Sequence, residues 1–491
     1  PSGFLHQIEK RPRTAQTHQQ HALHVFAILL LLSAAAPAAD YFVRVDGGDV
    51  ASCNGGFDRP ASAGSRDCAW AHPFFALPPG QPARIAGGDQ LRIGPGAYRM
   101  GLGAPGSESC SADWPWDCYM GALPSGSSAQ PTRILGLGAD GRCARKPQLW
   151  GTERAARVLN LAGSSHVEVA CLEITDRSTC VEQHCHGGNC SGEVLACVRE
   201  QPPFGDWSGT GVYASDSAQV VLRDLDVHGM AMRGFHAGRL SDWTLERVNI
   251  VGNGWSGWDG DLGEQGSSNS GVIEFKDVEI AWNGCAERYP SREHFGCWGQ
   301  SSGGYGDGLG TAASAGDWRF SRVRVHHNAA DGIDLLYLKT PGRSAVTSSQ
   351  LYANAGNQFK SAGAAQISDS QIDGRCGDLG VAGLATRDGC RAGGNSVVIA
   401  LADPARVHLE NNEISGHGDC LVVVEGGTGS SKVLLLNNRL VGSPQWADAE
   451  KRSCGFYAHD SRARVELIGN QLSGVRAAAC PPGNRCTRAE R

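Results

Sequence analysis

"LERVNIVGNG" (245–254), "FKDVEIAWNG" (275–284), "FSRVRVHHNA" (320–329) and "SSQLYANAG" (348–356) share one skeleton: apolar residues at alternate positions, then a turn with Asn at the same place. Alternation with period two sends one set of side chains into a core and the other outward, which is the pattern of a short β-strand. Further copies, such as "LRDLDVHG" (222–229), "ISDSQIDG" (367–374), "LENNEISG" (409–416), "LLNNRLVG" (435–442) and "LIGNQLSG" (467–474), carry the pattern from about residue 160 to 475. Their spacing is roughly 20–45 residues, with no helical periodicity between them. A coil of this size cannot bury its apolar face alone, so it stacks on its neighbours, each strand parallel to its equivalent about 4.8 Å away. The expectation is an all-β, single-stranded solenoid. Asn253, Asn283, Asn328 and Asn354 fall in one column, which predicts an amide ladder capping a turn.

Residues 40–160 read as an N-terminal cap and first coils, 161–475 as the solenoid domain and 476–491 as a tail. Within the cap, "GGDQLRIGPGAYR" (87–99) resembles the opening turns of right-handed parallel β-helix proteins of the pectate-lyase-like class. A cap shields sheet edges that would otherwise pair with other chains. Residues 1–39 read as an extension and signal peptide, with an apolar stretch from Ala22 to Ala36 and small residues placing cleavage near Ala38 or Ala39. A membrane anchor is the alternative, but the apolar run is short of a bilayer span. The chain is therefore expected to be secreted or periplasmic, with no span in its mature form. Its 18 cysteines are read as disulfides that brace loop insertions. The close spacings pair Cys53 with Cys68, Cys110 with Cys118, Cys285 with Cys297, Cys376 with Cys390, and Cys480 with Cys486. "CVEQHCHGGNCSGEVLAC" (180–197) mixes Cys and His as a zinc site would, yet holds no CxxC pair. A net charge of −6 without a basic run in the mature chain argues against nucleic acid as a partner. A monomer is expected.

Three units align on an inward apolar residue: Leu309, Ile333 and Phe359. Two residues earlier stand Asp307, Asp331 and Asn357, and immediately after stand Gly310, Asp334 and Lys360. Strand alternation turns the residue after each apolar one outward, and the acids two residues before are expected on the same outer patch, placing three carboxylates and one ammonium a rung apart. Clustered carboxylates raise one another's pKa unless a cation sits among them, and Ca²⁺ suits an all-oxygen set. A nearby cation would lower the pKa of Lys360 towards that of a general base. Together these groups suit β-elimination on a uronic acid, with calcium on the C6 carboxylate and Lys360 taking the C5 proton. Each residue also has a plain reading, since Asp-Gly forms turns and surface Lys is usually solvated.

At this point the chain resembles the calcium-dependent pectate lyases of polysaccharide lyase family nine. The resemblance rests on "GDGLG" (306–310), "NAADGIDLLYLKT" (328–340) and "GNQFKSAG" (356–363), in that order on consecutive coils, over about sixty residues. It implies Asp307, Asp331 and Asp334 as calcium ligands, Lys360 as the Brønsted base and an acidic polysaccharide as substrate. Ala330 departs from it, because the family usually has a second acid there.

Candidates for holding the sugar are Trp255 and Trp258 by ring stacking, Arg233 and His236, which flank Phe235 as Asp307 and Gly310 flank Leu309 and would extend the groove, and Arg343 by pairing with an acidic sugar. Asp259 and Asp261 could instead form another cation site. Other chemistries on the same residues are a C5-epimerase, a hydrolase using Asp331 with Asp334, and a non-catalytic glycan-binding or cell-surface β-helix. The hydrolase lacks its usual Asn-Thr-Asp and Gly-His-Gly setting, "SGHGD" (415–419) being an isolated match.

Overall fold

The computed structural model describes residues 38–475 except 138–142, 144, 183–194, 264–265, 299–304, 381–389, 392–393, 403, 443–453 and 459–460, together with the backbone at 485–486. The apolar segment Ala22–Ala36 and the expected Cys480–Cys486 pair lie outside the described residues.

Three long sheets of 14, 12 and 10 strands run the length of the chain, each adding one strand per coil. In the 14-stranded sheet, for example, Asp317–Ser321 pairs in parallel with Arg343–Thr347, which pairs with Ala364–Ser368. The architecture is a right-handed parallel β-helix, as expected. Among the described strands, the one antiparallel pair is a hairpin, Ala286–Arg288 with Glu293–Phe295, inside an insertion closed by Cys285–Cys297. Among the described residues, no helix is long and apolar enough to cross a membrane.

The core follows from the inward column of the ten-stranded sheet: Phe235, Trp258, Leu309, Ile333, Phe359, Val397 and Val422 are in register and fully buried. Trp258 stacks on Phe235 at 5.1 Å and meets Trp243, Phe275 and Trp318 edge-on. It is 0% exposed. The expectation that Trp258 stacks on sugar is thus overturned: it shares the register of Leu309, and alternation turns that position into the core.

The Asn ladder is present. Asn253 Nδ2 donates to Asn283 Oδ1 at 2.9 Å, Asn283 to Asn328 at 2.8 Å, and Asn328 to Asn354 at 2.7 Å. Gln358 ends it, accepting from Asn354 Nδ2 at 2.8 Å. Against the ladder runs a column of Gly234, Gly257, Gly308 and Gly332. At Gly332 a Cβ would stand 2.6 Å from both Asn354 Nδ2 and the Gln358 carbonyl. The glycine of each Asp-Gly pair therefore makes room for the ladder amide.

Four expected disulfides are formed, Cys53–Cys68, Cys110–Cys118, Cys285–Cys297 and Cys376–Cys390, joined by Cys143–Cys171, Cys180–Cys197 and Cys420–Cys454. The Cys180–Cys197 bond consumes two of the thiols that a zinc site in that stretch would need.

Candidate functional site

The outward column beside the buried one reads His236, Asp259, Gly310, Asp334, Lys360 and Val398, coil after coil. Asp334 and Lys360 are thus side by side on adjacent strands. Lys360 Nζ lies 2.7 Å from Asp334 Oδ2 and 3.2 Å from Asp331 Oδ2.

Asp307 and Asp331 reach the same place by another route. The strands begin at Leu309 and Ile333, so both acids sit in the corner before the strand, where alternation does not apply. Their orientation is set by a second stacked column. Asp307 Oδ1 accepts the Asp331 N–H at 3.0 Å, and Asp331 Oδ1 accepts the backbone and side-chain N–H of Asn357 at 2.7 and 2.9 Å. Asn357 Oδ1 accepts from Asn395 N at 3.1 Å, and Asn395 Oδ1 from Cys420 N at 2.9 Å. One oxygen of each acid caps the next coil. The other is left for chemistry.

Asp307, Asp331, Asp334 and Lys360 line a cleft of about 920 Å³. Asp307 is buried at the cleft wall, and burial, then Asp331 and Asp334, push its carboxyl well above the ordinary range. Asp334 is pushed up to about 6 by burial and by Asp331, which together outweigh its contact with Lys360. Burial pulls the Lys360 ammonium down, but Asp331 and Asp334 overcome this and hold it raised. The expected lowering of Lys360 is not what the protein groups produce. Two carboxylates within hydrogen-bonding distance stabilise the charged form more than desolvation costs it.

The donor chemistry suits a hard cation, being all oxygen, and the ammonium now stands between two of the acids. The spacing is open. Among the described residues, three His, Cys, Asp or Glu ligand atoms lie within 4.8 Å of one another only at Cys376, Cys390 and His417, where the cysteines are bonded to each other.

Arg233, His236 and Trp255 also line the cleft. Arg233 lies 3.9 Å over the Trp255 ring and is paired with Asp259 at 2.5 Å. His236 Nε2 donates to the Asp261 carbonyl at 2.7 Å, and burial, then Arg233, keep its ring below the usual histidine range. With Asp259 tied to Arg233 and the Asp261 side chain capping Gly263 N at 2.8 Å, the alternative cation site there is not formed. Arg343 is elsewhere: it opens a strand of the 14-stranded sheet, 63% exposed, and pairs with Asp317 at 2.6 Å. The chain turns a corner between Leu338 and Arg343, which carries that arginine off the cleft face.

No protein-family model matches the chain, and no curated protein matches it in sequence. Solved structures do. The pectate lyase Pel9A is 13% identical, with 91% of this chain and 79% of that one covered, at a TM-score of 0.40. An alginate lyase from Paenibacillus sp. str. FPU-7 is 12% identical over 79% and 94%, at 0.38. The A-module of the Azotobacter vinelandii mannuronan C-5 epimerase AlgE4 is 12% identical over 81% and 91%, at 0.44. Identities this low make the likeness one of fold alone.

Two further residues face the cleft without having been anticipated. Tyr337, 59% exposed, offers an open ring beside Asp334. Arg391, buried behind Asp307, donates Nη1 to the Tyr305 carbonyl at 3.0 Å and draws the Asp307 pKa downward. Tyr337 sits in the quoted "NAADGIDLLYLKT" motif, but it lies three residues after Asp334 and past the strand end at Leu335, so alternation could not have placed it on the cleft side. Arg391 lies in a Cys-rich insertion with no repeat to align.

Proposed function

We propose that the protein is a polysaccharide lyase acting on a uronic-acid polymer by β-elimination, with Lys360 as the base. The observation that carries this reading is Lys360 in one cleft with Asp307, Asp331 and Asp334, on consecutive coils and with Asp334 and Lys360 in register. Asp307, Asp331 and Asp334 would hold calcium. When bound, that ion supplies charge neutralisation for the sugar carboxylate and for the negative charge that develops as the C5 proton leaves.

Lys360 takes the C5 proton through neutral Nζ, the electron pair forms the C4–C5 double bond, and the C4 glycosidic oxygen departs with its bonding pair. Protonated again, Lys360 returns to Asp331 and Asp334. Arg233, held over the Trp255 ring, and the open ring of Tyr337 flank the position where the sugar would lie.

A panel of acidic polysaccharides assayed with and without calcium tests the reading. Unsaturated products absorbing in the near ultraviolet are expected, lost on chelation and in Lys360→Ala. Saturated reducing ends without that absorbance would instead mean hydrolysis, and unchanged chain length with altered sugar configuration would mean epimerisation.

A further inference from the structure

We propose a second acidic-sugar platform at the N-terminal end of the ten-stranded sheet, where Trp114, Tyr119, Tyr213 and Arg157 hold a distant part of the same uronate polymer. The proposal rests on the lyase reading for the identity of the polymer, but none of its four residues lines the catalytic cleft.

Position comes first. The strand Ala155–Asn160 lies six strand spacings from Phe359–Ala362 in the ten-stranded sheet, about 29 Å at ~4.8 Å per rung. The loop closed by Cys110–Cys118 folds onto this end strand through its short turn Pro115–Asp117. A polymer lying along the helix axis over Lys360 would run across it.

Chemistry comes next. The Arg157 guanidinium is sandwiched between two rings, with Cζ 3.6 Å from the Tyr213 centroid and 4.4 Å from that of Tyr119. Its Nε is buried with no partner, and no carboxylate among the described residues pairs with it. Elsewhere the solenoid treats arginine differently: Arg239, Arg247 and Arg322 each grip an aspartate through two nitrogens. A planar cation held over two aromatic rings, with no acid among the described residues to pair with, is preorganised for a carboxylate from outside. The loop's own Asp113 and Asp117 make no ion pair with it among the described residues.

The aromatic part is equally open. Trp114 is 58% exposed and Tyr337 is 59% exposed, the two most exposed aromatic rings among the described residues. One stands at this platform and the other at the cleft. Trp114 is braced edge-on by Trp116, which in turn carries Arg154 at 5.0 Å. Between platform and cleft, the Tyr213 ring meets His236 at 5.6 Å, so the two regions are joined by a continuous line of side chains. Rigid rings bind with little loss of conformational freedom, which suits them to stacking on sugars.

The test is affinity electrophoresis of the full chain in native gels containing polygalacturonate, alginate or neutral galactan. It is done in the Lys360→Ala background so that the polymer stays intact. Retardation by a polyuronate and not by galactan is expected. Arg157→Ala and Trp114→Ala should each weaken it by about tenfold, the loss of one good charge-assisted or stacking contact. Arg322→Ala, which removes the same charge from another face, should leave it unchanged. Retardation unaltered in both platform variants, equal retardation by galactan, or none by any polymer would overturn the platform. Trp114 is exposed, so its variant stays informative if Arg157→Ala does not fold. The two readings also fail separately. Arg157-dependent retardation in a protein that yields no unsaturated product leaves the platform standing without the lyase, and the converse leaves the lyase without the platform.

Discussion

Lys360 is bound to the two acids that would have to release it before it could accept a proton. Its replacement by Ala should cut turnover of a uronate polymer by roughly 10²–10⁴-fold, the usual worth of a positioned base, with the circular dichroism of the fold retained. Asp307 carries a different expectation. Its carboxyl is buried at the cleft wall and its pKa is raised by burial and by Asp331 and Asp334. A carboxyl whose folded pKa lies above its unfolded one contributes stability that is fully present below the unfolded value and lost as pH rises through the folded value. Asp307→Asn keeps the oxygen that caps Asp331 N–H and removes the charge. In chelator at pH 7.5 its Tm should exceed the parent's by roughly 2–4 °C, and the gain should vanish as pH falls to the ordinary carboxylate range. A lower Tm at pH 7.5 would mean that Asp307 is stabilising as an anion. At this scale the sequence was most legible where strand rules apply. Asp334 and Lys360 could be placed by alternation, whereas the orientation of Asp307 and Asp331 comes from corner hydrogen bonds that no period encodes.

The stacked columns behave as elements in their own right. Asn328 donates to Asn354 and accepts from both the backbone and the side chain of Asn283. Truncation to Ala would strand buried donors on one side and a buried acceptor on the other, at about 2–4 kcal/mol for the lost bonds and the exposed need. The denaturant midpoint should fall with an unchanged m-value. Gly332→Ala should be similarly harmful, because its Cβ meets the ladder amide, and it should depress activity by shifting Asp331. The Asn column itself was readable, since four residues at one turn position have a shared physical cause. Its end was not: Gln358 stands where the coils before it have Gly, and only the folded corner shows its side chain replacing the next asparagine. Trp258 was misread for a related reason. Two tryptophans in one Gly-rich stretch suggested sugar stacking, and the register of Trp258 with Leu309, which assigns it to the core, is seen only in the folded sheet.

At the scale of the whole molecule, a ligand that binds only the folded chain stabilises all of it. If calcium sits on the aspartates, saturating it should raise Tm, with about 2.7 kcal/mol gained at a hundredfold excess over Kd. The rise should be absent in Asp331→Asn and preserved in Lys360→Ala, as scanning calorimetry would record. An equal rise in Asp331→Asn would put the ion elsewhere. Seven disulfides among the described residues fit folding in an oxidising compartment. The repeat was legible because every coil obeys the same packing rule, but the insertions obey none. They supply Arg391 and the aromatic loop, whose positions depend on where each crosslinked segment folds back over the sheets. The corner column Asp307, Asp331, Asn357, Asn395 has one last implication. Acid and amide differ there by a single atom, O against NH₂, while the capping oxygen is common to both. Charge can therefore be written or erased on any rung without disturbing the backbone beneath it. This solenoid can gain, move or lose a cation site by steps too small to threaten its folding.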